Sequence, residues 1–302
     1  MSTPPHPAAS QERLDGRALL RLRQRLQAAP ERPWLHVEAG RRMAERLPWI
    51  KARPSRVLDW SADAPGPDNE LRQACPGADV VRVIELSAAA AATAPRPWWQ
   101  RWAGGPSEHR LTVADTAGWG AGLLWSNMRL HLAAEPRDLL RAWRAALAPE
   151  GYLLFTTLGP GSLAELRELY RAAGWGSPHA PFVDMHDLGD MMVECGLAEP
   201  VMGQETLHLT YGSAEQLLSE LRSLGVNADP ARFAGWRTPA WRKRLLQAWR
   251  ERAGADGRIA LRWELVHGHA FRGVDRGPAV APNTTVPLDA MKLMLRKPGR
   301  GA

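Results

Sequence analysis

Apolar positions along this chain follow two periods. Leu19, Leu20, Leu22 and Leu26, with arginines between them, keep helical spacing over Asp15–Gln27. Ala29-Pro30-Glu31-Arg32-Pro33 breaks that run, because proline lacks the amide donor a helix needs. Leu35, Ala39, Met43 and Leu47 resume it and predict a second helix from Trp34 to Trp49. Short apolar runs then take over. Arg56–Asp59, Val80–Glu85, Leu111–Val113, Gly122–Ser126 and Tyr152–Leu158 read as strands, the last apolar and β-prone enough for a buried central place. Between and after them, helical patterns cover Asp68–Cys75, Ala88–Ala94, Arg137–Leu147, Ser162–Ala173, Asp187–Cys195, Ser213–Leu224 and Pro239–Arg252. Pro149-Glu150-Gly151 is read as the stop of the helix before it, and Gly196 as another stop. Val201–Tyr211 and Ile259–Phe271 are the last strands. Strands and helices alternating at these lengths predict a three-layer α/β domain with a largely parallel sheet.

Composition adds bounds. The 302 residues suffice for a sizeable core, and their 45% hydrophobic content is that of a globular chain. A Pro- and Ala-rich start and a helix are expected over 1–33, the main domain over 34–272, and a Pro/Gly-rich tail over 273–302 with a short helix at Leu288–Leu295. With no signal-like start and no apolar run of about 18 residues, a soluble, cytoplasmic protein is expected, without a membrane partner. Cys75 and Cys195 stand far apart, so neither a disulfide framework nor a metal site is expected. The formal charge is +7, nearly all from arginine; Lys51, Lys243, Lys292 and Lys297 are the only lysines. Such a balance suits anionic substrates, acidic partners or nucleic acid, and equally a compositional bias toward Arg, Ala, Gly and Pro. Nucleic acid has composition alone behind it and is not expected.

One stretch carries candidate chemistry. Arg56-Val-Leu-Asp59 ends a strand in an acid and drops into Trp60-Ser-Ala-Asp-Ala-Pro-Gly66; the next strand ends in Glu85. A strand, tight loop, helix and second strand ending in an acid form a nucleotide cradle in α/β units. Glycines usually let backbone approach the ligand there. Here Ser61, Asp63 and Pro65 stand in the loop.

Further along, the chain carries Leu124-Trp-Ser-Asn127, Ala148-Pro-Glu-Gly-Tyr-Leu-Leu-Phe-Thr-Thr-Leu-Gly-Pro-Gly-Ser-Leu163 and Asp184-Met-His-Asp-Leu-Gly-Asp190. Leu209-Thr-Tyr211, Leu221-Arg-Ser-Leu-Gly-Val-Asn227 and Glu264-Leu-Val-His-Gly-His-Ala-Phe271 follow. On these runs the chain from Trp34 to Phe271 resembles the class I S-adenosylmethionine-dependent methyltransferases, and among them the BioC-type malonyl-acyl-carrier-protein O-methyltransferases of biotin biosynthesis. The resemblance implies a Rossmann-like fold: three layers around a mostly parallel seven-stranded sheet, with a helical insertion and C-terminal extension. It implies S-adenosylmethionine as cofactor, an acyl or small-molecule substrate, and acyl carrier protein as a partner that would dock on basic helices such as Arg237–Arg252.

Carried over position by position, the resemblance assigns cofactor binding to Asp59, Ser61, Asp63, Glu85, Ser126 and Asn127. Asp59 fills the first motif's acid slot, while Ser61, Asp63 and Pro65 replace its glycines. Asp63 would put a negative group near the cofactor's own carboxylate, and Pro65 removes an N–H donor. Glu85 matches the acid that accepts from the ribose hydroxyls; its other reading is a strand-end acid facing water. Ser126 and Asn127 lie where methyl group and substrate meet, or form a helix N-cap pair. Pro106-Ser-Glu-His109 offers no clear match to the acid relatives place at the adenine edge, and Trp119-Gly-Ala-Gly122 lacks the Asp they carry before the fourth strand. Ala29 falls near a lid tyrosine, and His179-Ala-Pro-Phe182 lacks the arginine expected to clamp a substrate carboxylate. Arg129 is either a substitute clamp or, the preferred reading, a surface arginine. His131, His186, His267 and His269 read as structural, and Trp125, Trp143, Trp241 and Trp249 as core. No catalytic residue is singled out. Two functions remain: a methyltransferase with weakened or lost cofactor binding, and a non-catalytic binding or regulatory protein that keeps fold and partner surface.

Overall fold

The computed structural model describes residues 14–50, 54–61, 68–85, 110–225 and 227–273. The expected elements at Ala88–Ala94 and Leu288–Leu295, and the candidate positions Asp63 and Pro65, lie outside these residues. Seven strands form one sheet: β1 (Arg56–Asp59), β2 (Asp79–Ile84), β3 (Arg110–Thr112), β4 (Ala121–Ser126), β5 (Leu147–Leu158), β6 (Leu197–Tyr211) and β7 (Ile259–Arg272). Their order is β3-β2-β1-β4-β5-β7-β6. β1 to β5 run parallel, and β7 is antiparallel to both β5 and β6. This is the mostly parallel, Rossmann-like sheet of the class I methyltransferase fold. β1 is followed in space by β2 on one side and β4 on the other, so the chain reverses direction of travel across the sheet there, and ligands bind at such switch points.

Residue alternation along the strands defines the two covered faces. Val57, Leu123, Trp125, Tyr152 and Leu154 pack with Met43 and Leu71, which belong to α2 (Trp34–Ala44) and α3 (Asn69–Ala74). Their neighbours Leu58, Leu124, Leu153 and Phe155 pack on the other face with Leu140, Trp143 and Met192. Those last three come from α4 (Pro136–Ala146) and α6 (Met185–Glu194). A third cluster gathers around Leu261, Trp263 and Leu265 of β7. Into it go Leu19, Leu22 and Leu26 of α1 (Gly16–Ala28), Leu166 and Leu169 of α5 (Ala164–Ala172), Leu217 of α7 (Ala214–Leu224), and Leu245, Leu246 and Trp249 of α8 (Pro239–Arg250).

Several boundaries differ from those the sequence predicts, each for a local reason. α2 ends at Ala44, and Pro48 sits in a separate 3-10 turn, Leu47–Trp49. Ser162 does not open α5, because its hydroxyl donates to the Glu264 carbonyl at 3.0 Å and its neighbour Leu163 takes φ 58°. α6 starts earlier than Asp187, since Asp184 caps it by accepting from the His186 amide at 2.8 Å. Pro149-Glu150-Gly151 lies within β5 rather than only ending a helix; Glu150 adopts φ 61°, and the pairing with β4 shifts register between Ala121 and Leu123.

Candidate cofactor-binding site

The carboxyl ends of β1, β2 and β4 lie side by side, with Asp59 opposite both Arg82 and Trp125. Five of the six candidate residues are described, and one hydrogen-bonded network joins them. Ser61 donates its hydroxyl to Asp59 Oδ1 at 2.5 Å and its amide to the same oxygen at 3.1 Å. The Ser61 hydroxyl in turn accepts from the Asn127 amide at 3.1 Å. Ser126 donates to the Trp60 carbonyl at 2.8 Å, and the Trp60 amide donates to the Trp125 carbonyl at 2.7 Å. The Asn127 side chain donates to the His36 carbonyl in α2 and accepts from Thr156 in β5, each at 2.7 Å. Ser126 and Asn127 therefore tie strands together. They are no helix N-cap pair: the next element is a 3-10 turn, Leu130–Leu132, with Arg129 in its cap position.

Glu85 is the second focus. Trp60 Nε1 donates to Oε1 at 2.7 Å, and Arg129 Nε to the same oxygen at 2.8 Å. Arg129 Nη2 donates to Oε2, and Arg23 Nη2 of α1 lies 2.7 Å from it. The water-facing reading of Glu85 thus falls, since its side chain is only 11% exposed and ion-paired. So does the surface reading of Arg129, which is 4% exposed. Arg129 follows Asn127 by two residues in the loop after β4, and Glu85 draws it inward. Its remaining Nη1 is buried without an acceptor among the described residues.

Charges here are shaped by burial and by neighbours. Burial pushes the Asp59 carboxyl up, and nearby Asp68 adds to the rise. Burial also pushes up Asp68, against the pull of Arg32 3.5 Å away. For Glu85, burial works upward, but the charges and hydrogen bonds of Arg129, with Arg23, outweigh it and hold the carboxyl below its ordinary range. Burial, then the charge of Arg32, drives His36 down to about 3.

Asp68, Trp60 and Thr156 are parts of this site that spacing did not single out. Asp68 caps α3 through the Leu71 amide at 3.1 Å and also accepts from Trp125 Nε1 at 3.1 Å. Its cap position at the start of the short helix α3 is a readable signal; its contact with a strand residue is not. Of the remaining expectations, Trp125, Trp143 and Trp249 are buried, while Trp241 is half-buried, edge-on to Tyr170 and Trp175. His131 meets Thr157, His186 meets Asp184, and His267 meets Glu205. Among the described residues no group of three His, Cys, Asp or Glu is placed to hold a metal ion, and no helix is long and apolar enough to cross a membrane.

No family model matches the chain. Individual proteins do. The malonyl-[acyl-carrier protein] O-methyltransferase of Gallionella capsiferriformans is 33% identical over 248 residues, 80% of this chain and 85% of that one. The protein of the same name from Halorhodospira halophila is 33% identical over 272 residues, 87% of this chain and 90% of that one. Among solved structures, the YcgJ protein from Bacillus subtilis covers 77% of this chain and 98% of its own, at 10% identity and a TM-score of 0.49. That last likeness is too slight to argue from, and the fold stands on its own strand order. With a third of positions identical across most of both chains, the sequence relatives decide the matter: this chain belongs to the malonyl-[acyl-carrier protein] O-methyltransferase family.

Proposed function

We propose that this chain keeps the fold and partner surface of its family but binds S-adenosylmethionine weakly or not at all. One observation carries the reading. An ionised carboxylate offers about four acceptor positions; Glu85 accepts two hydrogen bonds at Oε1 and one at Oε2, and Arg23 is ion-paired to that second oxygen, all from the chain itself. The family's acid for the ribose hydroxyls therefore does not fit a ribose as it stands. Admitting one requires Trp60, Arg129 or Arg23 to withdraw, and withdrawing Arg129 leaves a buried guanidinium without its counter-charge. Asp59 is likewise engaged by Ser61, and Asp63 and Pro65 take the places of glycines in the sequence that follows.

The partner side of the reading rests on the relatives' name and on α8. There Arg242, Lys243 and Arg244 are exposed beside a buried face of Leu245, Leu246 and Trp249, a basic surface suited to an acidic carrier protein. The retained activity on this reading is binding of an acyl carrier protein or its acyl group, not turnover. Titration calorimetry with S-adenosylmethionine and with S-adenosylhomocysteine tests it. No binding at low-micromolar ligand is expected; a dissociation constant in that range overturns the proposal and returns the chain to the active methyltransferases.

A further inference from the structure

Between α7 and α8 the chain runs through residues 227–238 without a helix or strand. Hydrogen bonds and rings fix its path. Asp229 is buried; its carboxylate accepts from the Ala231 amide at 2.8 Å, and its amide donates to Asn227 Oδ1 at 3.0 Å. Arg232 donates to the Asp229 carbonyl at 3.0 Å and to Asp15 Oδ2 at 2.5 Å, which ties the loop to the cap of α1. The Arg237 guanidinium lies over two rings, 4.2 Å from the centroid of Phe233 and 4.6 Å from that of Trp241. It also donates to the Trp175 carbonyl at 2.5 Å. Phe233 folds back on its own loop, so that a Cβ at Gly235 would meet its ring at 2.8 Å. One side chain does the opposite. Trp236 projects into solvent at 97% exposure, from a backbone held on both sides.

An indole offers a large apolar surface, and water surrounds this one. Tryptophan is enriched at the energetic centre of protein interfaces, and a ring presented from a fixed backbone loses less freedom on binding. The surroundings set the charge of the partner. Residues 232–252 hold seven Arg and Lys against one acid, Glu251. Arg232 and Arg250 are paired, with Asp15 and Glu215. Arg242, Lys243 and Arg244 are exposed on the first turns of α8 and make no ion pair among the described residues. A lipid surface is held by a whole apolar face sunk into it. Here Phe233 is turned back beneath Arg237, and Trp236 alone of the loop's aromatic rings stands clear. A single indole beside a cluster of cations matches an apolar cleft in an acidic protein. We propose that Trp236 anchors the carrier-protein docking surface: its indole enters an apolar cleft of the acidic acyl carrier protein, while Arg242, Lys243 and Arg244 meet carboxylates around that cleft. The inference rests on the partner half of the reading above and adds to it the residue on which docking turns.

The experiment is biolayer interferometry of the full chain with purified apo-acyl carrier protein, at low and at high salt. The apo form lacks the phosphopantetheine arm, so it reports the surface contact alone. Trp236→Ala is expected to weaken binding about thirtyfold at either salt, the loss of a hot-spot residue. Arg242→Glu with Arg244→Glu is expected to weaken it about tenfold at low salt and less at high salt, because exposed charges are screened. At 97% exposure the indole touches almost nothing, so the urea midpoint of Trp236→Ala is expected to equal the parent's. If parent and Trp236→Ala bind equally while the charge reversals still weaken binding, the anchor is overturned and the partner reading stands. No binding by the parent at low salt removes both. Sedimentation with vesicles of phosphatidylcholine and phosphatidylglycerol in equal parts supplies the last arm. Vesicle binding that the parent shows and Trp236→Ala loses makes the indole a lipid anchor and overturns the proposal; no vesicle binding by either is expected.

Discussion

Removing Arg129 and removing Arg23 have different consequences for Glu85. Arg129 is buried and donates to both carboxylate oxygens, so Arg129→Ala strands a mostly buried anion with one partly exposed arginine and an indole. Breaking a buried pair from one side costs about 3–5 kcal/mol, and denaturant titration of Arg129→Ala should show a loss of that order. Arg23 is 20% exposed at its side chain and reaches only Oε2, so Arg23→Ala should cost about 1 kcal/mol or less. It also removes the cation ion-paired to Oε2 of Glu85. If saturation of Glu85 limits cofactor binding, Arg23→Ala raises affinity for S-adenosylhomocysteine by about tenfold, worth about 1.4 kcal/mol. No gain would move the defect to the loop that carries Asp63 and Pro65. The chemistry of this residue pair was hidden in the sequence. Asp59 and Glu85 declare themselves by ending apolar strands. Arg129 sits between Met128 and Leu130 in a polar-looking loop, and only the fold shows that it turns toward an acid 44 positions earlier.

At the scale of elements, α2 is fixed to β4 by one contact that tolerates no bulk. A Cβ built on Gly40 would lie 2.9 Å from Asn127 Nδ2. That amide cannot swing aside cheaply, because it bonds the His36 carbonyl while its oxygen accepts from Thr156. Gly40→Ala therefore sets overpacking of about 1–3 kcal/mol against about 1 kcal/mol gained from better helix propensity. A net destabilisation of about 1 kcal/mol is expected in urea unfolding, and a stabilised variant would show that α2 floats over the network instead of gripping it. Most elements were legible because their apolar periods are strong: β1, the buried half of β5, and the amphipathic α1, α4 and α8 emerge where the pattern puts them. Ends were less legible where a side chain bonds something distant. Ser162 looks like a helix start until Glu264 of β7 claims its hydroxyl. The order of strands, and hence the meeting of Asp59, Glu85 and Asn127, has no local signature at all. It came through the family resemblance, and the sheet pairing bears out the fold that resemblance implied.

For the whole molecule, buried imidazoles set a limit on acid stability. His36 is 2% exposed, and its folded value of about 3 lies well below the ordinary 6.5. Its sign follows from proton counting. Below about pH 6.5 the unfolded chain takes up a proton that folded His36 refuses, so the stability it contributes is full above that pH and drains as pH falls toward 3. The slope is about 1.4 kcal/mol per pH unit for one such group. His131, also driven to about 3, drains in the same window and doubles it. Asp59 and Asp68 oppose this, because their raised folded values make them bind protons more readily than the unfolded chain does. A variant isolates the imidazole contribution from that opposition. His36→Gln keeps the backbone carbonyl that Asn127 needs and removes the titrating ring. Urea unfolding at pH 7.5, 6 and 5 should show the parent chain weakening on acidification, and the His36→Gln chain weakening less, by about 1.4 kcal/mol per unit below pH 6. Parallel curves for the two chains would mean that His36 takes a proton in the folded state, and that α2 opens over the Asp59–Asn127 network before the rest of the fold gives way.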